Sequence, residues 1–210
     1  MTTISAGAPS VAGPISAPSA LDARIGARIR TLRAARGLTL DALARTAAVS
    51  RAMLSRIERG ESSGTAQLLN KVCGGLGVTL SALFAGTEAP PTPLSRRAAQ
   101  PEWQDPATGY LRRAVSPPGT GSPVSVTEVE FPPGATVAFD TTPLPGADQH
   151  VWVLDGTLDL NLGGEAFRLH AGDCLHMRFD RPIRFHNPAA QPVRYAVVIS
   201  NPMTAAGARP

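Results

Sequence analysis

The spacing of apolar residues changes partway along this chain of 210 residues, and the change constrains its fold more than any other feature. In residues 21–84 apolar side chains recur every three to four positions, as they do on amphipathic helices. From about residue 109 they alternate every second position, as they do on strands that are buried on one face. The stretch 86–101, GTEAPPTPLSRRAAQP, follows neither period. The sequence therefore predicts a helical domain (21–85), a Pro-rich linker (86–102) and an all-β domain (103–202).

The two ends of the chain follow neither period. Residues 1–20 are rich in Gly, Pro and Ser and carry no basic charge, which excludes a signal peptide and predicts a disordered arm. Residues 203–210 are expected to form a short tail. No apolar run approaches the ~20 residues that a membrane span needs. Cys73 and Cys174 lie about a hundred residues apart, which fits neither a disulfide framework nor a zinc motif and indicates a cytoplasmic protein.

Five short helices are predicted in the first half, which is basic. Residues 21–84 hold ten Lys or Arg and four Asp or Glu, a net charge of +6, whereas the residues after 84 hold ten and twelve, a net charge of −2. This asymmetry favours a half that binds a polyanion, joined to a half with another role. Thr39 and Ser50 stand ahead of periodic apolar segments as N-cap residues, and they predict the starts of the second and third helices.

The third predicted helix has the residues that suit contact with nucleic acid. Its apolar residues, Met53, Leu54 and Ile57, are expected to face the core. A helix of this kind fits the major groove of B-DNA, where Arg binds guanine bidentately and where Ser and a helix N-terminus hold phosphate. The face opposite the core is then expected to present Arg51, Ala52, Ser55, Arg56 and Arg59.

Residues 29–84 resemble the XRE-type, lambda-repressor-like helix-turn-helix domain across its five-helix unit, and SRAMLSRIERG (50–60) resembles its recognition helix. The resemblance implies sequence-specific binding of double-stranded DNA. It places Ser50, Arg51, Ala52 and Ser55 at bases or backbone, Arg56 and Arg59 at phosphates, and Thr39 and Leu40 at the end that anchors the DNA backbone.

The family also pairs a Glu of this helix, here Glu58, with an Arg of the first helix, here Arg33. Three positions depart from the family pattern: Leu40 replaces a frequent Gln, Ala48 replaces the usual Gly of the turn, and Gly64 replaces a common Pro. If Ala48 has a left-handed backbone, its side chain costs roughly 1–2 kcal/mol.

The second half contains two motifs, VWVLDGTLDL (151–160) and GDCLHMRFDRPIRFHN (172–187), that resemble the two conserved motifs of the cupins. The resemblance implies a C-terminal all-β barrel, the double-stranded β-helix or jelly roll. Together with the helical half, it implies an XRE–cupin transcription regulator, an α + β protein of two domains.

Metal-binding cupins hold their ion with His-x-His and a Glu from the first motif and a His from the second. Counted from Gly156, the positions of the first motif fall at residues 142–145 and Gln149, and the position after the Pro of the second motif is Ile183. None of these residues supplies a His, Cys or carboxylate donor. His150 and His186 are each one position away from a ligand position, which sends a strand side chain to the opposite face. We therefore predict no catalytic residue, metal or other cofactor. A rebuilt metal site around Cys174 and His176 is the alternative, with His170 expected to be exposed.

The predicted barrel has an apolar lumen with few polar groups, and such a lumen suits a small organic effector. We expect a homodimer on a near-palindromic operator. Two alternatives remain: a DNA-binding protein whose barrel is inert or only dimerises it, and an epoxidase-like, mononuclear metal cupin enzyme fused to a helix-turn-helix domain. The residues in phase with the lumen, and expected to bind the effector, are Gln149, Val151, Val153, Ile183 and Phe185.

Overall fold

A computed structural model describes residues 20–84, 92–141, 144 and 146–201 of the chain. The arm predicted for residues 1–20, apart from Ala20, and the tail predicted for 203–210 lie outside the described residues, as does the first part of the predicted linker. The described part forms five α-helices, one short 3₁₀ turn and then ten β-strands. No helix in these ranges is long and apolar enough to cross a membrane.

The helical domain consists of five short helices that enclose one apolar core, as the spacing of the apolar residues predicts. The hydroxyls of Thr39, Ser50 and Thr65 accept hydrogen bonds from backbone N–H groups three residues later, at 3.1, 3.1 and 3.3 Å, and thereby cap three helices. Gly77, with a φ of 65°, ends the fourth helix. The helices are α1 (Ala20–Ala35), α2 (Leu40–Thr46), α3 (Arg51–Glu58), α4 (Ala66–Leu76) and α5 (Leu80–Phe84).

The barrel is built from two antiparallel sheets, a six-stranded sheet in the order β1-β2-β3-β10-β5-β8 and a four-stranded sheet in the order β4-β9-β6-β7. Its strands are β1 (Glu102–Gln104), β2 (Leu111–Ala114), β3 (Val124–Phe131), β4 (Thr136–Phe139), β5 (Asp148–Asp155), β6 (Thr157–Leu162), β7 (Glu165–His170), β8 (Cys174–Arg178), β9 (Ile183–His186) and β10 (Val193–Ser200). This all-β barrel has the architecture that the two cupin-like motifs imply.

The period of two is visible in the burial of β5. Gln149, Val151 and Val153 are buried, whereas His150 and Trp152 between them are exposed. The buried residues of both sheets meet between the sheets and form the core of the barrel. The lumen side of β5 is therefore the side that the sequence predicts.

The helical domain packs directly against the barrel through α4 and α5. Lys71 of α4 lies 3.6 Å from the carboxylate of Asp140, and Asp105, beyond β1, accepts a hydrogen bond of 2.8 Å from the backbone N–H of Ala66. Phe84 of α5 stacks on Trp103 of β1, with ring centroids 5.0 Å apart. Seven of the ten aromatic residues continue this contact as one series into the barrel: Phe84, Trp103, Tyr110, Phe131, Tyr195, Phe185 and Phe139.

Candidate nucleic-acid interface and barrel cavity

Helix α3 is fixed at its N-terminus and along one face. The Ser50 hydroxyl accepts a hydrogen bond of 3.1 Å from the backbone N–H of Met53. Leu54 and Ile57 are 0% and 1% exposed in the core, and Met53 is half-buried. Because the inner face is held in this way, the outer face has a defined orientation. The residues predicted for that outer face are exposed or half-buried there: Arg51, Ala52, Ser55, Arg56 and Arg59.

A buried ion pair joins α3 to α1. The carboxylate of Glu58 accepts two hydrogen bonds from the guanidinium of Arg33, at 2.7 and 2.8 Å, and Arg33 also donates to the carbonyl of Leu38 at 2.9 Å. The hydrogen bond to Glu58 raises the pKa of Arg33. The two helices approach so closely that a Cβ atom on Gly26 would lie 2.1 Å from the carbonyl oxygen of Ile57. The pair that the family resemblance implies is present, and it joins the C-terminal end of α3 to α1.

The arginines on the outer face of α3 pair with surface carboxylates. Arg51 lies 2.8 Å from Asp41, and their side chains are 67% and 65% exposed. Arg59 binds Glu61 at 2.6 Å and contacts the hydroxyl of Ser55. Exposed ion pairs contribute little net stability because water screens them. These arginines can therefore exchange a carboxylate for a phosphate or a base edge at small cost.

The start of α2 and the turn that follows it complete this surface. The hydroxyl of Thr39 caps α2 through the backbone N–H of Ala42, at 3.1 Å. Leu40 is half-buried against the core and supplies an apolar contact at this position. In the turn before α3, Ala48 has a φ of 51°, so the left-handed backbone that the family normally gives to Gly is adopted here by a residue with a side chain.

A cavity of about 70 Å³ lies between the barrel sheets and the helical domain. Gln149, Ile183 and Phe185, three of the five predicted lumen residues, line it. Val151 and Val153 are fully buried in the barrel core but do not lie on its wall. The alternation of side chains along a strand predicts that all five residues face the inside of the barrel. It does not determine where along the inside of the barrel the cavity lies. The helical domain contributes Asn70, Val78, Thr79 and Leu80 to the same wall.

Two buried polar residues of the cavity wall are absent from the sequence prediction. Tyr110 is 2% exposed and Arg112, on β2, is 8% exposed. Neither the Tyr110 hydroxyl nor the Nε of Arg112 has a hydrogen-bond partner among the described residues, whereas Gln149 donates to the sulfur of Met177 at 3.6 Å. Burial raises the pKa of Tyr110 to about 12, although the charge of Arg112 acts in the opposite direction. The sequence signal that could have indicated Arg112 is the pair of adjacent arginines in LRRA (111–114), because successive residues of a strand face opposite sides and one of the two is then buried.

Comparison with known proteins accounts for both halves. The family model described as a helix-turn-helix domain matches residues 24–85, and the model described as a cupin domain matches residues 127–199. The HTH-type transcriptional regulator SutR of Escherichia coli (strain K12) is 30% identical over 174 residues, which are 83% of this chain and 93% of SutR. The chain belongs to the XRE–cupin transcription regulators.

A solved structure of a regulator agrees with the fold of this XRE–cupin regulator. The HTH_3 family transcriptional regulator from Vibrio cholerae superimposes with a TM-score of 0.72 at 24% identity, over 87% of this chain and 97% of that one. The cupin domain of an XRE family transcriptional regulator from Enterobacter cloacae is 22% identical and covers 44% of this chain and 97% of its own, with a TM-score of 0.41. The first similarity shows the same architecture of a helical domain followed by a barrel.

In this regulator, the positions that hold the ion in metal-binding cupins carry other chemistry. Gln149 and Ile183 face the cavity, and the remaining positions fall at residues 142–145, of which the structure describes only Leu144. Carboxylates and imidazoles are the donors that iron and zinc prefer. The two cavity residues supply an amide and a hydrocarbon instead.

The histidines lie away from the cavity wall. His150 and His176 contact each other on the outer face of β5 and β8, with ring centroids 4.9 Å apart, and His170 is exposed as predicted. Cys174 lies 4.0 Å from His150, and His176 lies 3.3 Å from Asp148. Within the described ranges, no group of three or more His, Cys, Asp or Glu side chains is arranged to hold a metal ion.

His186 has other partners on its strand. It is half-buried, and its Nδ1 lies 3.0 Å from the hydroxyl of Thr136 on the neighbouring strand β4. It does not line the cavity, in agreement with its register one position away from Phe185.

Proposed function

We propose that this regulator binds a near-palindromic operator through α3, and that its barrel binds a small organic effector. The observation that carries the proposal is the outer face of α3. Arg51, Ser55 and Arg56 stand there, on a helix whose opposite face and N-terminus are fixed. A helix with this surface enters the major groove with its first turns at the base edges, and its capped N-terminus faces phosphate.

A homodimer would present two such helices. Operators read by helix-turn-helix dimers have half-sites about one helical turn apart, or a multiple of it, because the DNA repeats at that distance. The barrel is the larger of the two domains, and we assign the dimer contact to it. The net charge of +6 on residues 21–84 supports a long-range attraction between this half and DNA.

The barrel is proposed to sense a ligand and not to catalyse a reaction. Its cavity is lined by apolar residues, among them Phe131, Val137, Ile183 and Phe185, together with polar groups such as Gln149, and pockets that bind small organic molecules combine these two kinds of residue. The metal-ligand positions of the cupins hold an amide at Gln149 and a hydrocarbon at Ile183, which supports sensing over metal catalysis. Stoichiometric iron or zinc in the purified protein would contradict this part of the proposal.

The substitution Arg51→Ala tests the operator proposal. Duplex DNA selected from a random pool by the wild-type protein serves as the probe, and binding is measured by fluorescence anisotropy at several salt concentrations. We expect Arg51→Ala to weaken binding by about 1–3 kcal/mol and to relax the sequence preference at one position of each half-site, because a guanine contact is lost. Wild-type binding should weaken steeply with added salt.

Arg168→Ala is the matched control. Arg168 is an exposed arginine of the barrel paired with Asp159 at 2.7 Å, much as Arg51 is paired with Asp41, so both substitutions remove one surface charge from an exposed pair. The control is expected to keep the wild-type affinity. If the double variant Arg51→Ala, Ser55→Ala binds the selected DNA as the wild type does, α3 is not the recognition helix.

A further inference from the structure

The side chain of Arg112 is buried without the partner that a buried charge requires. It is 8% exposed, it lines the cavity, and its Nε has no hydrogen-bond partner among the described residues. Its Nη2 donates a hydrogen bond of 3.3 Å to the hydroxyl of Ser81, and the guanidinium lies beside the hydroxyl of Tyr110. The ion pairs of the described residues do not include it. A buried guanidinium in this state is costly, and native proteins almost always pair such a group.

The next residue shows the usual arrangement. Arg113 points to the other side of β2 and pairs with Glu102 and, at 2.8 Å, with Glu128. Arg113, which is partly exposed, therefore has two carboxylate partners. Arg112 thus faces the cavity without a carboxylate partner among the residues that the structure describes.

A second donor stands in the same cavity. The hydroxyl of Tyr110 is buried beside Arg112, and no described residue accepts a hydrogen bond from it. Because burial raises its pKa to about 12, the hydroxyl keeps its proton at neutral pH and can donate it to an acceptor. Arg112 and Tyr110 together offer donors to a ligand that brings oxygen acceptors.

The charged residues of the wall are three arginines, Arg112, Arg178 and Arg181, and one carboxylate, Asp140, which lies 3.6 Å from Lys71. Arg178 and Arg181 are exposed and pair with Asp148 and Asp180, so Arg112 is the buried charge of the wall. Most of the remaining wall is apolar, with Val137 and Phe139 from β4 and Ile183 and Phe185 from β9. The space of about 70 Å³ corresponds to roughly five water molecules or one compact organic molecule.

The helical domain takes part in this site. Val78, Thr79 and Leu80, at the start of α5, form part of the wall, and Ser81 connects Arg112 to the hydroxyl of Thr127, 3.1 Å away. A ligand that binds Arg112 would therefore lie beside the DNA-binding domain and compete for the guanidinium that donates to Ser81 of α5. Such a ligand would favour one arrangement of α5 over another, which is the requirement for regulation.

We propose that the cavity binds a small organic acid, with its carboxylate on Arg112 and Tyr110 and its apolar body between β4 and β9, and that this ligand alters DNA affinity through the contact of Arg112 with Ser81 of α5. The inference rests on the effector function proposed above and gives the effector a chemical class and a route of action.

Matched pairs of acids and amides test the ligand class. Isobutyrate, benzoate and phenylacetate are compared with isobutyramide, benzamide and phenylacetamide, and sulfate serves as a bare anion. Binding to the full chain is measured by thermal shift and calorimetry. At least one acid is expected to bind about tenfold or more tightly than its amide, because a hydrogen bond to a charged group is lost in the amide. No preference for any acid over its amide, or equal binding of sulfate, overturns the proposal.

Arg112→Met and Arg113→Met form the variant pair. Arg112→Met should abolish the preference for the acid while leaving the melting temperature of the ligand-free protein unchanged or higher, because an unpaired buried charge is removed. Arg113→Met should keep acid binding and lower the melting temperature, because Glu102 and Glu128 lose their partner. If Arg112→Met binds the acid as the wild type does, the site is elsewhere and the proposal fails.

Ser81→Ala tests the route to DNA. The variant is expected to bind the acid, while the change that the acid causes in DNA affinity becomes smaller than in the wild type. An undiminished effect would overturn the role of α5. DNA binding in the absence of any acid is measured in parallel and depends on the proposed surface of α2 and α3, so loss of the operator function and loss of the acid site are told apart.

Discussion

Ala48, in the turn between α2 and α3, adopts a φ of 51° and is exposed. A side chain in this left-handed region costs about 1–2 kcal/mol. Glycine removes that cost but loses more conformational entropy on folding, by up to about 1 kcal/mol. We expect Ala48→Gly to raise the free energy of unfolding by about 0.5–1 kcal/mol, measured by urea denaturation.

The control for this substitution is Ala27→Gly. Ala27 is also exposed, but it lies within α1, where the backbone is right-handed. The same chemical change should there lower the free energy of unfolding by about 0.5–1 kcal/mol. A loss of stability in both variants would contradict the strain assigned to the turn at residue 48.

Arg112 and Arg113 show where prediction from residues ends. They are neighbours of identical type, yet one faces the cavity and the other faces Glu128. Their strand, β2, has four residues, so the period of two has too few positions to distinguish the buried face from the exposed one. The chemistry of the cavity depends on which arginine faces inward. Tertiary packing, including the contact of Arg112 with Ser81 of α5, determines this.

Among the elements, α3 is joined to α1 by a buried ion pair between Glu58 and Arg33. Glu58 is 7% exposed and binds the guanidinium of Arg33 at two points. In Glu58→Gln the charge is lost and one of the two hydrogen bonds loses its acceptor, while Arg33 stays in place. We expect the free energy of unfolding to fall by about 1–3 kcal/mol, measured by denaturation, and DNA binding to weaken because α3 loses its fixed angle.

Glu61→Gln, three residues further along the chain, is the matched control. Glu61 also binds an arginine at two points, Arg59, but both side chains are about half exposed. Water replaces such a pair, so the midpoint of unfolding is expected to stay at its wild-type value. Equal effects of the two substitutions would mean that burial does not determine the strength of the Glu58 contact.

The elements themselves follow closely from the sequence. Thr39 and Ser50 cap the helices that they predict, because a side-chain oxygen three residues before a free N–H is a local signal. The longer strands, such as β3 and β10 with eight residues each, match the alternating segments. The strands β1, β2, β4 and β9 have three or four residues, and only pairing with distant strands stabilises them.

At the scale of the whole molecule, Asp105 connects the two domains. Its carboxylate is 2% exposed and accepts hydrogen bonds from the N–H of Ala66, at the N-terminus of α4, and from the backbone and hydroxyl of Thr108. A carboxylate at this position also interacts favourably with the helix dipole. The barrel therefore supplies a cap to a helix of the other domain.

Asp105→Ala is expected to lower the free energy of unfolding by about 1–3 kcal/mol, because the buried N–H of Ala66 loses its acceptor. The helical domain should then unfold before the barrel, so that the far-UV circular dichroism of the helices is lost in a first transition and the barrel unfolds in a second one. Asp180→Ala, which removes a carboxylate that is 57% exposed, is the control and should leave both midpoints unchanged. Coincident, unshifted transitions in Asp105→Ala would contradict a role for this cap.

The two-domain architecture could be predicted from the sequence, but the contact between the domains could not. The change of period at the Pro-rich stretch separates the halves, and the motifs of each half indicate its fold. The interface uses Trp103, Asp105 and Tyr110, which stand directly after the predicted linker without periodic neighbours. Their contacts are with residues distant in the chain, such as Phe84 and Ala66, and such contacts leave no periodic pattern in the sequence.

The start of α5 forms part of the cavity wall through Leu80. The helical domain can therefore not be replaced without changing the cavity. A chimera that joins this barrel to the helical domain of a relative would need Leu80 for the cavity wall, Ser81 for the contact with Arg112 and Phe84 for the stack on Trp103, or residues of the same shape. The outer face of α3 carries no such constraint, because it does not line the cavity. If the proposed functions hold, substitutions on α3 would suffice for a new operator sequence, whereas a new effector would require coordinated change in both domains.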